Sequence, residues 1–240
     1  MSLLPVDLTN CEREPIHILG HIQAHGYLVA VQPETYSIVH ASDNIVDLVA
    51  VPVAQLLGQS VDALLTKTDL PGSALTELLN VVKRSESTEG MNPHRLVLNN
   101  KPWNLIIHQH QELILLEWEP VGDEQNVLLN QQLVAQALTQ LQASRTLTDL
   151  LQNTAQRIKT IIGFDRVMVY RFSPDWHGHV VAEAKDDQLE PFLGLHYPAS
   201  DIPRQARDLY KINLVRLIVD VNSTPSRIVS LPDWPDDRPL

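Results

Sequence analysis

Between Asn126 and Ile162 apolar residues recur at helical spacing. Leu133, Val134, Leu138 and Leu141 make one stripe, and Leu147, Leu150, Leu151, Ile158 and Ile161 a second. Thr146 and Asp149 have capping-box spacing, and Gly163 stands where a helix commonly ends. Two amphipathic helices in the middle of the chain limit the fold, because the segments on both sides carry strand patterns. Before them, 26–32 (GYLVAVQ) and 36–42 (YSIVHAS) read as a hairpin about the PET turn. Short helical pieces punctuated by Pro52 and Gly58 follow, then a helix marked by Leu75, Leu78, Leu79 and Val82. HRLVLNN, KPWNLIIHQH and ELILLEWEPV are three further strand-like runs. After the helices, FDRVMVYRF and HVVAEA read as paired strands about SPDWHG. A helix is expected from about Pro203, and 213–221 (NLVRLIVDV) as a strand. The last 19 residues carry four prolines and no period, and read as loop. The fold class is α+β, with antiparallel sheets, flanking helices and a domain boundary at the polar VGDEQ junction.

Charge supports the division. Residues 1–125 hold 6 basic and 16 acidic side chains, whereas residues 126–240 hold 12 and 13. A formal charge of −11 argues against a nucleic-acid partner, which calls for a basic face. No apolar run approaches the roughly 18 residues of a membrane span, and MSLLPVDLTN lacks the layout of a signal peptide. With a single cysteine the chain forms no internal disulfide, which fits a reducing, cytoplasmic setting.

Motifs for enzymatic chemistry are weak. There is no GxSxG elbow, and the nine glycines are scattered singly, so no phosphate-cradling loop is present. Cys11 lies between Glu12 and Glu14, charges that disfavour the thiolate a nucleophile needs, while Arg13 opposes them. His17, His21 and His25 fall at i, i+4, i+8, but Pro15, Gly20 and Gly26 interrupt the helix that would align them on a metal. The pairs His108/His110 and His177/His179 read as strand-face residues. Two other groups stand out. Arg204, Arg207 and Lys211 share one side of the expected helix, with Arg216 beyond it, and form either an anion-receiving face or a solvated one. Tyr170, Phe192, Tyr197 and Tyr210 are four of only 12 aromatic residues, and serve either a core or a pocket.

The stretch CEREPIHILGHIQAHGYLVAV resembles the N-terminal signature of the bacteriophytochromes, bilin-binding red-light receptors. GFDRVMVYRF and FLGLHYPASDIPRQARDLY resemble the GAF-domain signature of the same family. The resemblance runs from about residue 7 to the end. It implies an N-terminal segment over 1–25, a PAS domain over 26–121 and a GAF domain over 126–240, with the N-terminal segment passing through a GAF loop as a knot. It further implies a thioether between Cys11 and biliverdin, which explains a lone cysteine in an irregular segment. Asp201 would turn a backbone carbonyl to the pyrrole nitrogens, with Ile202 and Pro203 packed on the pigment. Tyr170, Phe192 and Tyr197 would line the isomerising ring with Met168 nearby, Ile22 would pack from the N-terminal side, and Tyr210 and Arg216 would hold a propionate. Arg204, Arg207 and Lys211 match no such ligand. The family's GAF domain continues with an arginine, serines and two histidines not found here, so an incomplete domain is expected. The PHY domain and histidine kinase of full-length relatives are also absent. The resemblance thus implies a non-enzymatic photoreceptor region feeding a kinase output, dimeric through the 126–162 helices. The rival expectation is a PAS–GAF interaction module without pigment.

Overall fold

The computed structural model describes residues 16, 18, 20–65, 72–84, 92–98, 100–122 and 127–235. They fall into two units: 16–122 together with 215–235, and 127–214.

The first unit is built on a seven-stranded antiparallel sheet. Its strands are β1 (His21–Ile22), β2 (Tyr27–Val31), β3 (Ile38–Ser42), β4 (His94–Leu98), β5 (Lys101–His110), β6 (Leu113–Pro120) and β10 (Ser226–Ser230). The strand order is β1-β10-β3-β2-β6-β5-β4. The hairpin over 26–42 and the meander over 94–120 form as their patterns predict. Helices α1 (Ile45–Val49), α2 (Val53–Leu56) and α3 (Ala74–Arg84) and a 3-10 turn at Val61–Leu65 cover one face. Val29, Val31, Leu105, Ile107, Leu116 and Trp118 from the sheet pack there against Leu48, Leu64, Leu75 and Leu79.

All the residues of β2 after Tyr27 are buried, so the opposite face is covered as well. Leu28, Ala30, Val39, Leu113 and Leu115 form a second cluster on that side, capped by Ile22, Leu231 and Trp234. An antiparallel sheet often leaves one face to water. Here residues from the two ends of the described chain close it.

That closure corrects two expectations about the C-terminal part. The proline-rich end contains a strand, β10, paired with β3 on one side and β1 on the other. It carries no period because it is five residues long and its partners are remote: His40 Nδ1 lies 2.9 Å from Ser230 Oγ, 190 positions away. Conversely, 213–221 forms no strand. It has no regular structure and includes a bend at Val219, with Leu214 and Val215 more than four-fifths exposed. A ladder needs a neighbour, and among the described residues no strand pairs with this stretch. The Gln23 side chain brackets it, donating to Leu217 O and accepting from Val219 N. Residues 215–235 therefore belong with the first unit, although their position in sequence assigns them to the second half.

The second unit contains α4 (Val127–Gln142), α5 (Leu147–Ile162), β7 (Arg166–Phe172), β8 (Gly178–Lys185), β9 (His196–Tyr197), a 3-10 turn at Ala199–Asp201 and α6 (Arg204–Ile212). The sequence signals at both ends of α5 operate as expected. Thr146 Oγ1 accepts from Asp149 N, and Gly163 ends the helix at φ 72°, where a side chain would be strained. The three strands form an antiparallel sheet in the order β7-β8-β9. On its α5 face Ala182, Ala184, Val167 and Val169 meet Leu151 and Ala155. Three alanines at this contact let helix and sheet approach closely.

Candidate functional site

The other face of β7-β8-β9 carries the residues singled out by sequence. Alternation along β7 sends Val167 and Val169 to the helix and Met168, Tyr170 and Phe172 away from it. A register shift between Val169 and Tyr170 then leaves Tyr170 opposite Val180 and Phe172 opposite Gly178. Such a bulge re-aims side chains, and it turns Gly178 to the face where Tyr170 lies. A Cβ on Gly178 would overlap the Tyr170 ring and hydroxyl, so the phenol occupies space that only glycine leaves open. Gly178 was not among the residues singled out from the sequence. No local pattern marks it, because the clash it avoids comes from across the sheet.

Four rings form a continuous row. Tyr197 and Tyr170 have centroids 5.9 Å apart, Tyr170 and Phe172 5.1 Å, and Phe172 and Trp176 6.1 Å. The last two contacts are edge-on, the arrangement that aromatic quadrupoles favour. Asp201 lies close enough for its carboxylate to act on Tyr170. Burial first, then the Asp201 charge, then the Tyr197 phenol raise the Tyr170 hydroxyl above the ordinary tyrosine pKa. The structure thus brings Tyr170, Tyr197 and Asp201 together, with Ile202 and Pro203 next in the chain. Met168 is on the same face and 42% exposed.

The other residues named from the sequence have surroundings of their own. The Phe192 ring lies under the Arg166 guanidinium, 3.6 Å from its centroid, at the start of β7. Tyr210 sits on α6 and Arg216 in the exposed stretch that follows; each has an interaction partner. Ile22 packs on the second cluster of the first unit. Cys11 and His17 lie outside the described residues. Among the described residues no group of three or more His, Cys, Asp or Glu side chains is placed to hold a metal. His21 is on a strand, and His179 stacks on its cross-strand partner His196 at 4.8 Å. No described helix is long and apolar enough to cross a membrane.

Arg204, Arg207 and Lys211 do share one side of α6, grouped with Asp208 and Trp176 around a hollow of about 350 Å³. Asp208 lies 2.8 Å from Lys211 Nζ and 3.6 Å from Arg204 Nε. The hydrogen bond from Lys211 leads the causes that hold the Asp208 carboxyl below the usual carboxylate pKa. One carboxylate thus offsets one of the three positive charges on this face.

A substitution tests the Gly178 cradle. Gly178→Ala is expected to push the Tyr170 phenol out of the row while leaving the fold in place. The check is the ultraviolet titration of the phenol. Its midpoint should fall toward the ordinary tyrosine value as the ring leaves its partly covered place beside Asp201 and Tyr197, and an unchanged midpoint would count against the cradle.

Comparison with known proteins gives this arrangement a family. Residues 11–121 match the family model described as a PAS fold. The chain is 39% identical to cyanobacterial phytochrome B of Nostoc sp. over 98% of its own length and 31% of that protein. It is 38% identical to a bacteriophytochrome of Xanthomonas campestris over 93% of its length and 35% of that protein. Among solved structures, the chromophore-binding domain of a Stigmatella aurantiaca phytochrome superimposes with a TM-score of 0.85 at 36% identity. That match covers 96% of this chain and 76% of the other. The chromophore-binding domain of a bacteriophytochrome from R. palustris gives 0.77 at 37% identity, covering 91% and 70%.

The architecture is that of a phytochrome chromophore-binding domain: α+β, a PAS domain followed by a GAF domain, with antiparallel sheets and flanking helices. The chain belongs to the phytochrome family. It spans about a third of the length of the curated relatives it matches.

Proposed function

We propose that this chain is the light-sensing region of a phytochrome and holds biliverdin through a thioether at Cys11. The observation that carries the reading is the convergence of Tyr170, Tyr197 and Asp201 on the face of the β7-β8-β9 sheet opposite α5. An open aromatic face with a carboxylate beside it suits a flat, conjugated ligand bearing pyrrole N–H groups, so these residues fit a linear tetrapyrrole. When bound, that group supplies light absorption and isomerisation about a methine bridge.

The chain's own residues bind it and register the change. The Asp201 backbone carbonyl accepts from pyrrole N–H, while Ile202 and Pro203 exclude water. Tyr170 and Tyr197, with Met168 and Phe192, bound the moving ring. Ile22, Tyr210 and Arg216 keep the roles that the resemblance gives them, the last two as donors to a propionate. For two pigment forms to bias the protein, each must make different contacts with these groups. This region has no catalysis of its own, acts in the cytoplasm and passes its state to PHY and kinase segments. The hydrogen bonds from Gln23 Nε2 to Leu217 O, from Val219 N to Gln23 Oε1 and from Ile228 N to Gly20 O hold residues 20–23 between two parts of the C-terminal segment. They support a knot in which that segment encloses the N-terminal one.

The α4 helix leaves Leu129, Val134 and Leu138 about half exposed, which favours a second copy of the chain as partner. The same observation supports the reading as an interaction module without pigment. One experiment separates them. The purified chain is mixed with biliverdin, denatured, and its gel band viewed for zinc-enhanced pigment fluorescence beside Cys11→Ala. A fluorescent parent band that vanishes in the variant is expected. A parent that stays colourless leaves the interaction module as the better reading.

A further inference from the structure

The sequence leaves Arg207 as one of three surface cations, but its guanidinium is not used as its neighbours' are. Arg204 and Lys211 contact the Asp208 carboxylate on their own helix. Arg207 is half-buried, and its Nη1 donates backward to two main-chain carbonyls, Ala199 O at 2.9 Å and Ile202 O. These lie at either end of the segment that contains Asp201.

That segment has little internal support. The 3-10 turn at Ala199–Asp201 is a single turn, closed by Asp201 N on Pro198 O at 3.1 Å. Ile202 and Pro203 then leave helical geometry, with ψ of 91° and 161°, before α6 begins. Pro198 and Pro203 offer no N–H at either end. Carbonyls at a helix end need external donors, and one arginine supplies them to both sides of Asp201.

On its other side the same guanidinium faces the Trp176 ring, with Cζ 4.9 Å from the centroid. Trp176 has φ 68°, a left-handed conformation that is strained for an aromatic residue and persists only where surrounding contacts hold it. Trp176 is also the far end of the ring row that runs through Phe172 and Tyr170 to Tyr197. The row and the turn therefore form a closed loop: Tyr197 and Asp201 meet at Tyr170, and Arg207 joins Trp176 to the Asp201 turn.

We infer that Arg207 is the positioning residue of this site, fixing the Ala199–Ile202 turn, and with it the Asp201 carbonyl, against the aromatic row. The inference deepens the pigment-binding reading and rests on it for the role of Asp201. Lysine cannot substitute. A lysine ammonium stops one bond short of Nη1, the single nitrogen that donates to both carbonyls, and as a compact point charge it cannot reach them while also facing Trp176.

The experiment compares the parent chain with Arg207→Lys and Arg207→Met, with and without biliverdin. Without pigment, amide hydrogen exchange is followed in a peptide spanning residues 195–209. Both variants are expected to exchange faster at Asp201 and Ile202 by about tenfold or more, the factor that loss of a hydrogen bond to a charged group represents. Exchange in β5 and β6 should not change. With pigment, both variants should still attach it covalently, but with a shifted absorption maximum and lower photoconversion yield. Unchanged exchange at 199–202, or full rescue by lysine, would overturn the inference. So would faster exchange with an unaltered spectrum, since the turn would then be held without positioning anything. A colourless parent would instead refute the pigment reading, while the exchange data still decide whether Arg207 holds the turn.

Discussion

Trp118→Ala is expected to lower the stability of the first unit by about 4 kcal/mol, the middle of the range for emptying a core aromatic site. Trp118 is fully buried on β6, directly opposite Tyr27 of β2 and Leu105 of β5. It packs in the cluster that joins the sheet to α1, α2 and α3. Neighbours on three strands cannot all move in to fill the space, so both the transfer and the cavity contributions apply. Its indole N–H is buried without a hydrogen-bond partner. Trp118→Phe removes that unpaired donor and keeps most of the ring, so its loss should be much smaller. Urea unfolding followed by circular dichroism would show this as a lower midpoint with an unchanged slope for alanine. Equal losses for the two variants would mean that cavity volume does not set the cost.

Glu183→Ala is expected to cost the second unit about 3–5 kcal/mol, the range for removing one partner of a buried ion pair. The Glu183 side chain is 4% exposed, with Oε1 3.6 Å from Arg166 Nε. Its carboxylate also accepts from Phe192 N at 2.9 Å and Leu193 N at 3.0 Å. Alanine leaves the Arg166 guanidinium without its carboxylate, with Glu190 O still accepting from Nη2, and leaves two main-chain donors without their acceptor; unmet donors cost more than the bonds gained. The loop they belong to leads into β9 and so to Tyr197. The substitution should therefore loosen the Tyr197–Tyr170 contact as well as the fold. Glu183→Gln keeps an acceptor for one of the N–H groups and is expected to fall between parent and alanine. Midpoints of chemical unfolding for the three proteins check the order; glutamine as costly as alanine would place the whole effect on the charge.

The two cases differ in how far they can be read in advance. Strand β6 was legible because ELILLEWEPV declares a strand, and a tryptophan inside it has few places to go but the core. Glu183 was not. In HVVAEA it reads as an ordinary strand carboxylate, and only the return of the 190–195 loop over β8 buries it. Phe192 shows the same limit: no local spacing announces that its ring lies under the Arg166 guanidinium. Tyr170, Tyr197 and Asp201, which the structure brings together, were legible as candidates through long ordered motifs. The glycine and the arginine that hold them were not, because Gly178 and Arg207 act on groups that local spacing does not connect.

The sequence by itself determined the helices at 127–142 and 147–162, the capping of the second by Thr146 and Gly163, and the hairpin and meander of the first sheet. Each rests on side-chain periods or on backbone groups within about five residues, which any neighbourhood would preserve. Tertiary structure alone decided that Ser226–Ser230 would be a strand and 213–221 would not, and that Ile22, Leu231 and Trp234 would close the second face of the sheet. It also decided that a bulge would lay Tyr170 over Gly178. These outcomes depend on partners brought together from remote parts of the chain, and a strand exists only where a neighbour supplies its hydrogen bonds.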